Sequence, residues 1–194
     1  MAGMLTRLEL ETRPYHASAD RVWRGLVDGT LTPATYMHQL VRVYGFEAPL
    51  EAALAYTPDL PLEIDVRGRV RSGFIVRDLL ALGISASGIA ALPQCMIAPF
   101  HCPAEALGWM YVAERCALAH DGVRRHIIGR FPRLEGATSY LGSADDTRWI
   151  SFVVALERYA RANAMQQQVS SGACEGYRRA VDWFHGRELM ACGA

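Results

Sequence analysis

The chain contains 194 residues, of which 51% are hydrophobic and 21% charged, and its formal net charge at pH 7 is zero. This size and composition are typical of one globular domain with a single core, so we expect one domain over residues 1–194. The balanced charge lacks the basic excess that binding to a phosphate backbone requires, which argues against nucleic acid as a partner.

Helical signals begin close to the N-terminus. Apolar residues at helical spacing predict a first helix over residues 5–28, started or kinked at Pro14 and capped by Gly29. Thr32 directly precedes a proline, and this pair is typical of an N-cap followed by the first helical position. It predicts a second helix over residues 33–56.

The rest of the chain alternates between loops and helices. Residues 57–63 are predicted to form a loop, and apolar spacing between Val66 and Leu79 indicates a third helix that ends near Gly83. Residues 84–103 are rich in Gly, Ser and Pro and leave room for one short helix. Further helices are predicted over residues 103–129, 145–164 and 166–190. The sequence therefore predicts an all-α fold, a single-domain bundle of about six to eight helices.

Cysteine spacing and apolar segments restrict the cellular setting. The five cysteines are scattered, and no two have the Cys-x-x-Cys spacing, which argues against a disulfide framework and a structural zinc site. The N-terminal segment becomes charged within seven residues, and no stretch approaches 18 uninterrupted apolar residues. We therefore expect a cytoplasmic protein without a signal peptide or a membrane span.

The pair His16 and Asp20 is the first candidate for chemistry. Residues four apart on a helix share a face, so the carboxylate can accept a hydrogen bond from the imidazole. A metal-bound imidazole is neutral, with one nitrogen on the metal and a proton on the other nitrogen that needs an acceptor. An ordinary His–Asp pair on a helix surface has the same spacing, so the pair alone leaves both interpretations open.

Longer segments around His16 resemble a known family. The segments LELETRPYHASADRVW and YMHQLVRVYGFEAPLEAAL are similar to the first two helices of the biliverdin-forming bacterial heme oxygenases, and weaker similarity continues through LGWMYVAE and RWISFVVALE. In that family a Thr-x-x-x-His motif on the first helix supplies the proximal ligand of heme iron, and Thr12 and His16 match it. The resemblance implies a heme-oxygenase-like fold with His16 as the metal ligand.

The resemblance also implies a reaction and its partners. Heme oxygenases use heme as both cofactor and substrate, and they open its ring with oxygen and supplied electrons to give biliverdin, iron and carbon monoxide. The chain would then need an electron donor such as a ferredoxin or a reductase. The candidates for contact with heme are Asp20, Arg13, which matches a propionate-binding lysine of some relatives, and Arg115. Tyr111 is a further candidate for contact with heme, although its helical spacing is most simply that of a core residue.

The segment expected on the opposite side of the heme departs from the family pattern. There the family carries a run resembling Glu-Gly-Ser-Thr-Leu-Gly-Gly-Gln, whose glycines let the backbone approach the porphyrin. The matching residues 114–121 read ERCALAHD, with Arg115, Ala119 and His120 in place of the glycines. In an active enzyme, polar atoms near Cys116, Ala119 and His120 would have to contact the iron-bound oxygen.

Three outcomes of these replacements lead to different functions. In the first, the helix stands further from the heme and ordered water supplies the hydrogen bonds, so ring cleavage survives. In the second, His120 is a second axial ligand, and the chain is a bis-histidine heme-binding protein without catalysis. In the third, Arg115 and His120 fill the pocket, and the scaffold binds another small molecule or none. The sequence leaves heme cleavage and non-catalytic heme binding open.

Two other enzyme classes with similar helical bundles find little support in the sequence. Di-metal carboxylate proteins need Glu-x-x-His pairs on facing helices, and the nearest match is the single pair Asp182 and His185. A thiaminase-type site needs a cysteine nucleophile beside carboxylates, and the sequence offers only Cys116 near Glu114.

Overall fold

The architecture is given by a computed structural model that describes residues 3–27, 29 and 31–186. The regular structure of these residues is helical, with no β-strand among them. The nine α-helices of the described residues are α1 (Met4–Val27), α2 (Pro33–Ala55), α3 (Leu60–Glu63), α4 (Ser72–Ala81), α5 (Ala86–Ala90), α6 (Pro103–Ala117), α7 (His120–Arg130), α8 (Asp146–Asn163) and α9 (Gln166–His185). Short 3-10 turns cover Arg67–Arg69, Pro132–Ala137 and Leu141–Ser143. The predicted all-α, single-domain fold is confirmed.

The sequence predicts the long helices better than it predicts the segments between them. Among the described residues, α3 and α5 have only four and five residues, and the seven longer helices fall within the predicted six to eight. The predicted third helix begins only at Ser72, because a 3-10 turn and the extended Val70 precede it. The predicted loop over residues 57–63 contains α3. Residues 187–190 of the last predicted helix lie outside the described residues.

Local sequence signals set several helix ends. The Thr32 side chain accepts a hydrogen bond from the Thr35 amide, and the Thr35 hydroxyl accepts one from the Thr32 amide, which together form a capping box. Beyond the end of α1, Gly29 has a φ of +94°, the left-handed conformation that favours glycine. The predicted N-cap and C-cap are confirmed. Because α1 begins at Met4 and continues through Pro14, it does not start at the proline.

The helix predicted over residues 103–129 is interrupted near its middle. Leu118 and Ala119 separate α6 from α7, and their amides bond to carbonyls only three residues earlier, at 3.2 and 3.3 Å. Bonds of this type tighten the last turn of a helix and often precede its end. The interruption lies within residues 114–121, the segment that departs from the heme oxygenase pattern.

Glycines bring the backbones of α6 and α9 into close contact. A Cβ atom on Gly108 would lie 2.3 Å from the Val169 carbonyl oxygen, and one on Gly172 would lie 2.5 Å from the Glu105 carbonyl oxygen. Only a residue without a side chain permits this approach. Because α9 also packs along α1, the α6–α9 contact determines where α6 lies relative to α1.

A buried carboxylate holds the C-terminal end of α6. Glu114 is 3% exposed and accepts hydrogen bonds from Arg69 Nη1 at 2.8 Å and from Arg148 Nε at 3.0 Å. Arg148 belongs to α8 and Arg69 to the 3-10 turn before α4, so the carboxylate joins three elements. Breaking a buried ion pair by removing one partner costs about 3–5 kcal/mol. The end of α6 and the junction that follows it are therefore firmly held.

We predict that Gly108→Ala destabilises the protein by about 2–3 kcal/mol, because the new methyl group would collide with the α9 backbone. The midpoint of thermal unfolding, followed by circular dichroism, should fall by roughly 5–10 °C. The matched control is Gly129→Ala in α7, where an added Cβ meets no atom within 4 Å. The control should be neutral or stabilising by up to about 1 kcal/mol, and equal effects of both variants would contradict the proposed helix contact.

Candidate functional site

A cleft with a volume of about 820 Å³ lies between α1 and the α6–α7 junction, and we call it the α1–α7 cleft. This volume lies within the roughly 300–1,000 Å³ of small-molecule sites. The wall opposite α1 includes the segment that the sequence analysis places on the far side of a heme. The α1 wall consists of Glu9, Asp20, Trp23, Arg24 and Val27, and the opposite wall consists of Arg115, Cys116, Leu118, Ala119, Gly122 and Val123.

His16 belongs to the face of α1 that forms this wall. Glu9 lies seven residues before His16 and Trp23 lies seven residues after it, about two helical turns in each direction. Asp20 follows His16 by about one turn on the same face. The His16 imidazole itself does not line the cleft, and its side chain is only 14% exposed.

The Arg115 guanidinium reaches from α6 to both carboxylates that flank His16. Its Nε atom lies 3.5 Å from Glu9 Oε1, and its Nη1 atom lies 3.3 Å from Asp20 Oδ1. Burial opposes the charge of the guanidinium, but Tyr177 and the two carboxylates raise the pKa of Arg115. Arg115 is therefore a cation that links the carboxylates on either side of His16 along α1.

Thr12 fixes the protonation of the His16 ring. The Thr12 hydroxyl donates its only proton to the Leu8 carbonyl at 2.7 Å, so it accepts a hydrogen bond from His16 Nε2 at 2.8 Å. This network assigns the proton to Nε2 and the lone pair to Nδ1, which lies 4.0 Å from Glu9 Oε2. Burial and the nearby Arg115 lower the pKa of His16, so the ring is neutral at pH 7. A neutral imidazole with one anchored N–H is the form that ligates a metal.

Thr12 accepts the hydrogen bond from the His16 ring, whereas Asp20, the predicted acceptor, pairs with arginines. Asp20 lies 3.3 Å from Arg115 and 3.7 Å from Arg24. The two residues of the Thr-x-x-x-His motif are thus joined by a direct hydrogen bond across one helical turn. Arg13 is exposed on α1, and its positive charge makes a small contribution to lowering the pKa of His16.

Two buried tyrosines close the inner side of the site. The Tyr111 hydroxyl donates to Glu9 Oε1 at 2.7 Å, and the centroid of the Tyr177 ring lies 5.5 Å from that of His16. Tyr111 is a core residue, as its spacing predicts, and its hydroxyl also reaches the site. Burial raises the pKa of the Tyr177 hydroxyl, while the neighbouring Arg115 guanidinium lowers it through its charge and a side-chain hydrogen bond. Tyr177 therefore places a phenol between the His16 ring and Arg115.

Cys116 and Ala119 face the α1–α7 cleft from the α6–α7 junction. Burial raises the pKa of Cys116 to about 12, so the thiol is protonated at neutral pH. A protonated thiol is a poor nucleophile but a weak hydrogen-bond donor. Ala119 contributes only a methyl group to the wall. These two residues therefore give the wall one small side chain and one weak donor.

His120 faces the core instead of the cleft. Its fully buried ring packs against the rings of Trp23 and Tyr140, with 4.8 Å between centroids in both contacts. Within the described part of the chain, neither ring nitrogen has a hydrogen-bond partner. Burial, and after it the positive charge of Arg71, lowers the pKa of His120 well below its ordinary value. His120 therefore does not fill the cleft.

His120 lies beside a part of α1 that is distant from His16. His120 contacts Trp23, which is two helical turns from His16 on the same helix. Two axial ligands must bind opposite sides of one iron atom. The bis-histidine alternative would therefore require His120 to leave its core position and approach His16.

A buried polar cluster lies behind the cleft. Arg71 Nη2 donates to Glu47 Oε1 at 2.8 Å, and the Tyr140 hydroxyl donates to the same oxygen at 2.9 Å. Arg71 is 1% exposed, and its Nε and Nη1 atoms have no partner among the described residues. A cavity of about 40 Å³ beside Glu47 and Tyr140 shares Trp23 and Cys116 with the α1–α7 cleft. Its size and the unpaired donors suit ordered water molecules.

Glu9, Trp23 and Tyr177 are among the residues of the site that were not predicted. Glu9 and Trp23 lie seven residues on either side of His16, so extending the face of α1 by two turns each way would have found them. Tyr177 had no such signal, because the sequence does not show which helix packs against α1. Its position depends on the α6–α9 contact.

Comparison with known protein families and with curated proteins finds no match for this sequence. No helix in the described part of the chain is long and apolar enough to span a membrane. The same residues contain no group of three or more His, Cys, Asp or Glu side chains placed to hold a metal ion. The candidate site therefore rests on the geometry around His16 and on the resemblance described above.

We predict that His120→Phe reduces the loss of stability on acidification. The His120 pKa is depressed in the folded state, so below an unfolded pKa of about 6.5 the unfolded chain binds a proton that the folded chain does not. Stability is therefore lost as the pH falls below about 6.5. Between pH 7.5 and pH 5, urea unfolding of the His120→Phe variant should show a loss about 2 kcal/mol smaller than the wild type.

The control for this experiment is His101→Gln, which replaces an exposed histidine. It should retain the pH dependence of the wild-type protein. An unchanged pH dependence in the His120→Phe variant would show that His120 is not a buried neutral imidazole.

Proposed function

We propose that this protein binds heme in the α1–α7 cleft, with His16 as the proximal ligand of the iron, and cleaves it as a heme oxygenase. The observation that carries the proposal is the state of His16. Its imidazole is neutral and has its Nε2–H anchored by Thr12 at 2.8 Å, so a lone pair is available on the other nitrogen. The ring lies on the helix face that forms one wall of a cleft of suitable volume.

The donor set fits a heme better than a bare metal ion. A porphyrin supplies four nitrogen ligands itself, so a single protein imidazole is sufficient to hold its iron. The cleft walls include the apolar side chains Trp23, Val27, Leu118 and Val123, which suit a flat ring system. Among these, Val27 and Leu118 are partly exposed, as expected where a ligand covers an open edge.

The charged groups of the cleft also suit the acidic substituents of heme. Arg24 and Arg115 both line the cleft, and guanidinium groups bind carboxylates such as the two heme propionates. For heme to reach His16, Arg115 must leave its present position between the two carboxylates. Its contacts with Glu9 and Asp20, at 3.5 and 3.3 Å, would then be replaced by contacts with the ligand.

Heme, when bound, would supply the iron at which oxygen is activated and would itself be the substrate. The protein's part is to hold and orient the ring and to shape the opposite wall. There Ala119 leaves space, and the protonated Cys116 thiol can donate a weak hydrogen bond. His120 stays in the core, which leaves this side free for oxygen. Electrons would come from a ferredoxin or a reductase.

Non-catalytic heme binding is the second candidate function, and Arg115 favours it. A cation in the cleft occupies space that glycine leaves open in the heme oxygenase pattern. If Arg115 stays near the bound ring, it restricts the approach of the distal wall. Binding and cleavage are therefore tested separately.

We predict that His16→Ala abolishes the visible spectrum of bound heme when purified protein is titrated with hemin, because the iron loses its only protein ligand. The matched control is His38→Ala, which removes an exposed histidine of α2 and should leave the spectrum unchanged. Circular dichroism verifies that both variants are folded. A wild-type spectrum in the His16→Ala variant would refute the assignment.

Adding ascorbate or a reductase to the heme complex then tests cleavage. We predict that the Soret band decays while a broad absorption of biliverdin grows in the red region. A stable Soret band in the wild-type complex would contradict the oxygenase activity and would support the heme-binding alternative.

A further inference from the structure

A second cleft, with a volume of about 650 Å³, lies on the opposite face of α1, and we call it the α1–α2 cleft. Its α1 wall consists of Arg21, Val22, Gly25 and Leu26, and the other walls come from the first half of α2 and the end of α9. At about 100° per residue these positions point away from the α1–α7 cleft. Among the described residues none lines both clefts, so the two sites are separate.

Hydrogen bonds between three helices give the α1–α2 cleft its shape without a ligand. Arg42 Nη2 on α2 donates to the Trp183 carbonyl of α9 at 3.2 Å and to the Phe184 carbonyl. Trp183 Nε1 donates in return to the Arg42 carbonyl at 2.8 Å. His185 Nε2 donates to the Ser18 carbonyl of α1 at 3.0 Å. The walls are therefore fastened to one another, as is usual in sites that are formed before a ligand binds.

The ionisable side chains that line this cleft are all basic. They are Arg21, His38, Arg42 and His185, with no Asp or Glu among the described lining residues. Within the described part of the chain neither arginine forms an ion pair with a carboxylate. Guanidinium groups are well suited to binding phosphate and carboxylate oxygens. The charge of the cleft therefore favours an anionic ligand.

The unpaired polar atoms of the cleft residues are hydrogen-bond donors. Gln39 Nε2 and Arg42 Nε are both buried, and neither has a hydrogen-bond partner among the described residues. Both residues line the cleft from one face of α2, three positions apart. A buried donor without an acceptor is unfavourable. What these two side chains lack is an acceptor, and the oxygens of an ionised phosphate ester are acceptors only.

The remainder of the lining is largely apolar. Val22, Leu26, Met37 and Phe184 contribute hydrocarbon surface that a free phosphate ion would leave uncovered. The position of Gly25 keeps the α1 wall open, because a Cβ atom added there would meet no atom within 4 Å. The cleft therefore suits a ligand with an apolar body as well as an anionic group.

We propose that the α1–α2 cleft binds a small phosphate monoester. Arg21, Gln39 and Arg42 hold the phosphate group, and the apolar side chains hold the organic part. A phosphate monoester carries a charge of nearly −2 at neutral pH, which matches the two arginines, and it has three terminal oxygens for three donor side chains. A carboxylate offers one charge and two oxygens. The site is independent of the one proposed for heme.

The test is isothermal titration calorimetry of the purified protein with 1-naphthyl phosphate. The wild type should bind one molecule with a Kd of about 0.1–1 mM, the range expected for a ligand of this size. Inorganic phosphate, 1-naphthol and 1-naphthoate should each bind at least about fivefold more weakly, because each lacks either the apolar body or the phosphate. Absence of saturable binding, or equal binding of 1-naphthol or 1-naphthoate, overturns the proposal.

Two variants test the place of binding. Arg21→Gln removes an exposed cation of the cleft and should weaken binding about tenfold, the size expected for one charged hydrogen bond. Gly25→Leu fills the cleft from α1 and should weaken binding at least as much. The matched control is Arg125→Gln, which changes a 75% exposed arginine of α7 and should bind as the wild type does. Wild-type affinity in Arg21→Gln and Gly25→Leu would place the ligand elsewhere and overturn the site.

Thermal stability separates a binding role of Gln39 from a structural one. Gln39→Leu should weaken binding of 1-naphthyl phosphate several-fold, because the phosphate loses a donor. Its unfolding temperature without ligand should stay the same or rise, since an unpaired buried amide is replaced by an apolar side chain of similar size. Unchanged affinity together with a lower unfolding temperature would show that the amide serves the fold and would contradict its role in the site.

Discussion

The close approach of α6 and α9 at Gly108 and Gly172 is the constraint on which the candidate site depends. It brings the α6 backbone against α9 while α9 packs along α1, so side chains from three helices meet at one place. Arg115 comes from α6, Tyr177 from α9 and His16 from α1. A wider separation of α6 and α9 would remove the guanidinium from the carboxylates and the phenol from the imidazole.

The face of α1 and the helix caps could be predicted from the sequence, since both depend on residues close together in the chain. The Thr32 cap and the Thr12–His16 spacing are examples, and the hydrogen bond between Thr12 and His16 lies within one helical turn. The break at Leu118 and Ala119 could not be predicted, because no proline or glycine marks it. Partners from distant helices, such as those of Arg115, depend on tertiary packing that periodicity does not contain.

The residues that stand where the heme oxygenase pattern has glycines have separate roles in the structure. His120 joins an aromatic and polar cluster in the core, and Ala119 contributes only a methyl group to the cleft wall. Arg115 reaches across to α1. The glycine pattern therefore is not replaced by three bulky groups in one pocket. Of the three, only Arg115 carries a charge across to α1, where it contacts Glu9 and Asp20.

Resonance Raman spectroscopy of the ferrous heme complex would show whether one imidazole from α1 binds the iron. We expect a five-coordinate heme with an iron–imidazole stretching band that disappears in His16→Ala. A six-coordinate spectrum that converts to five-coordinate in His120→Phe, or a stretching band that persists in His16→Ala, would contradict it.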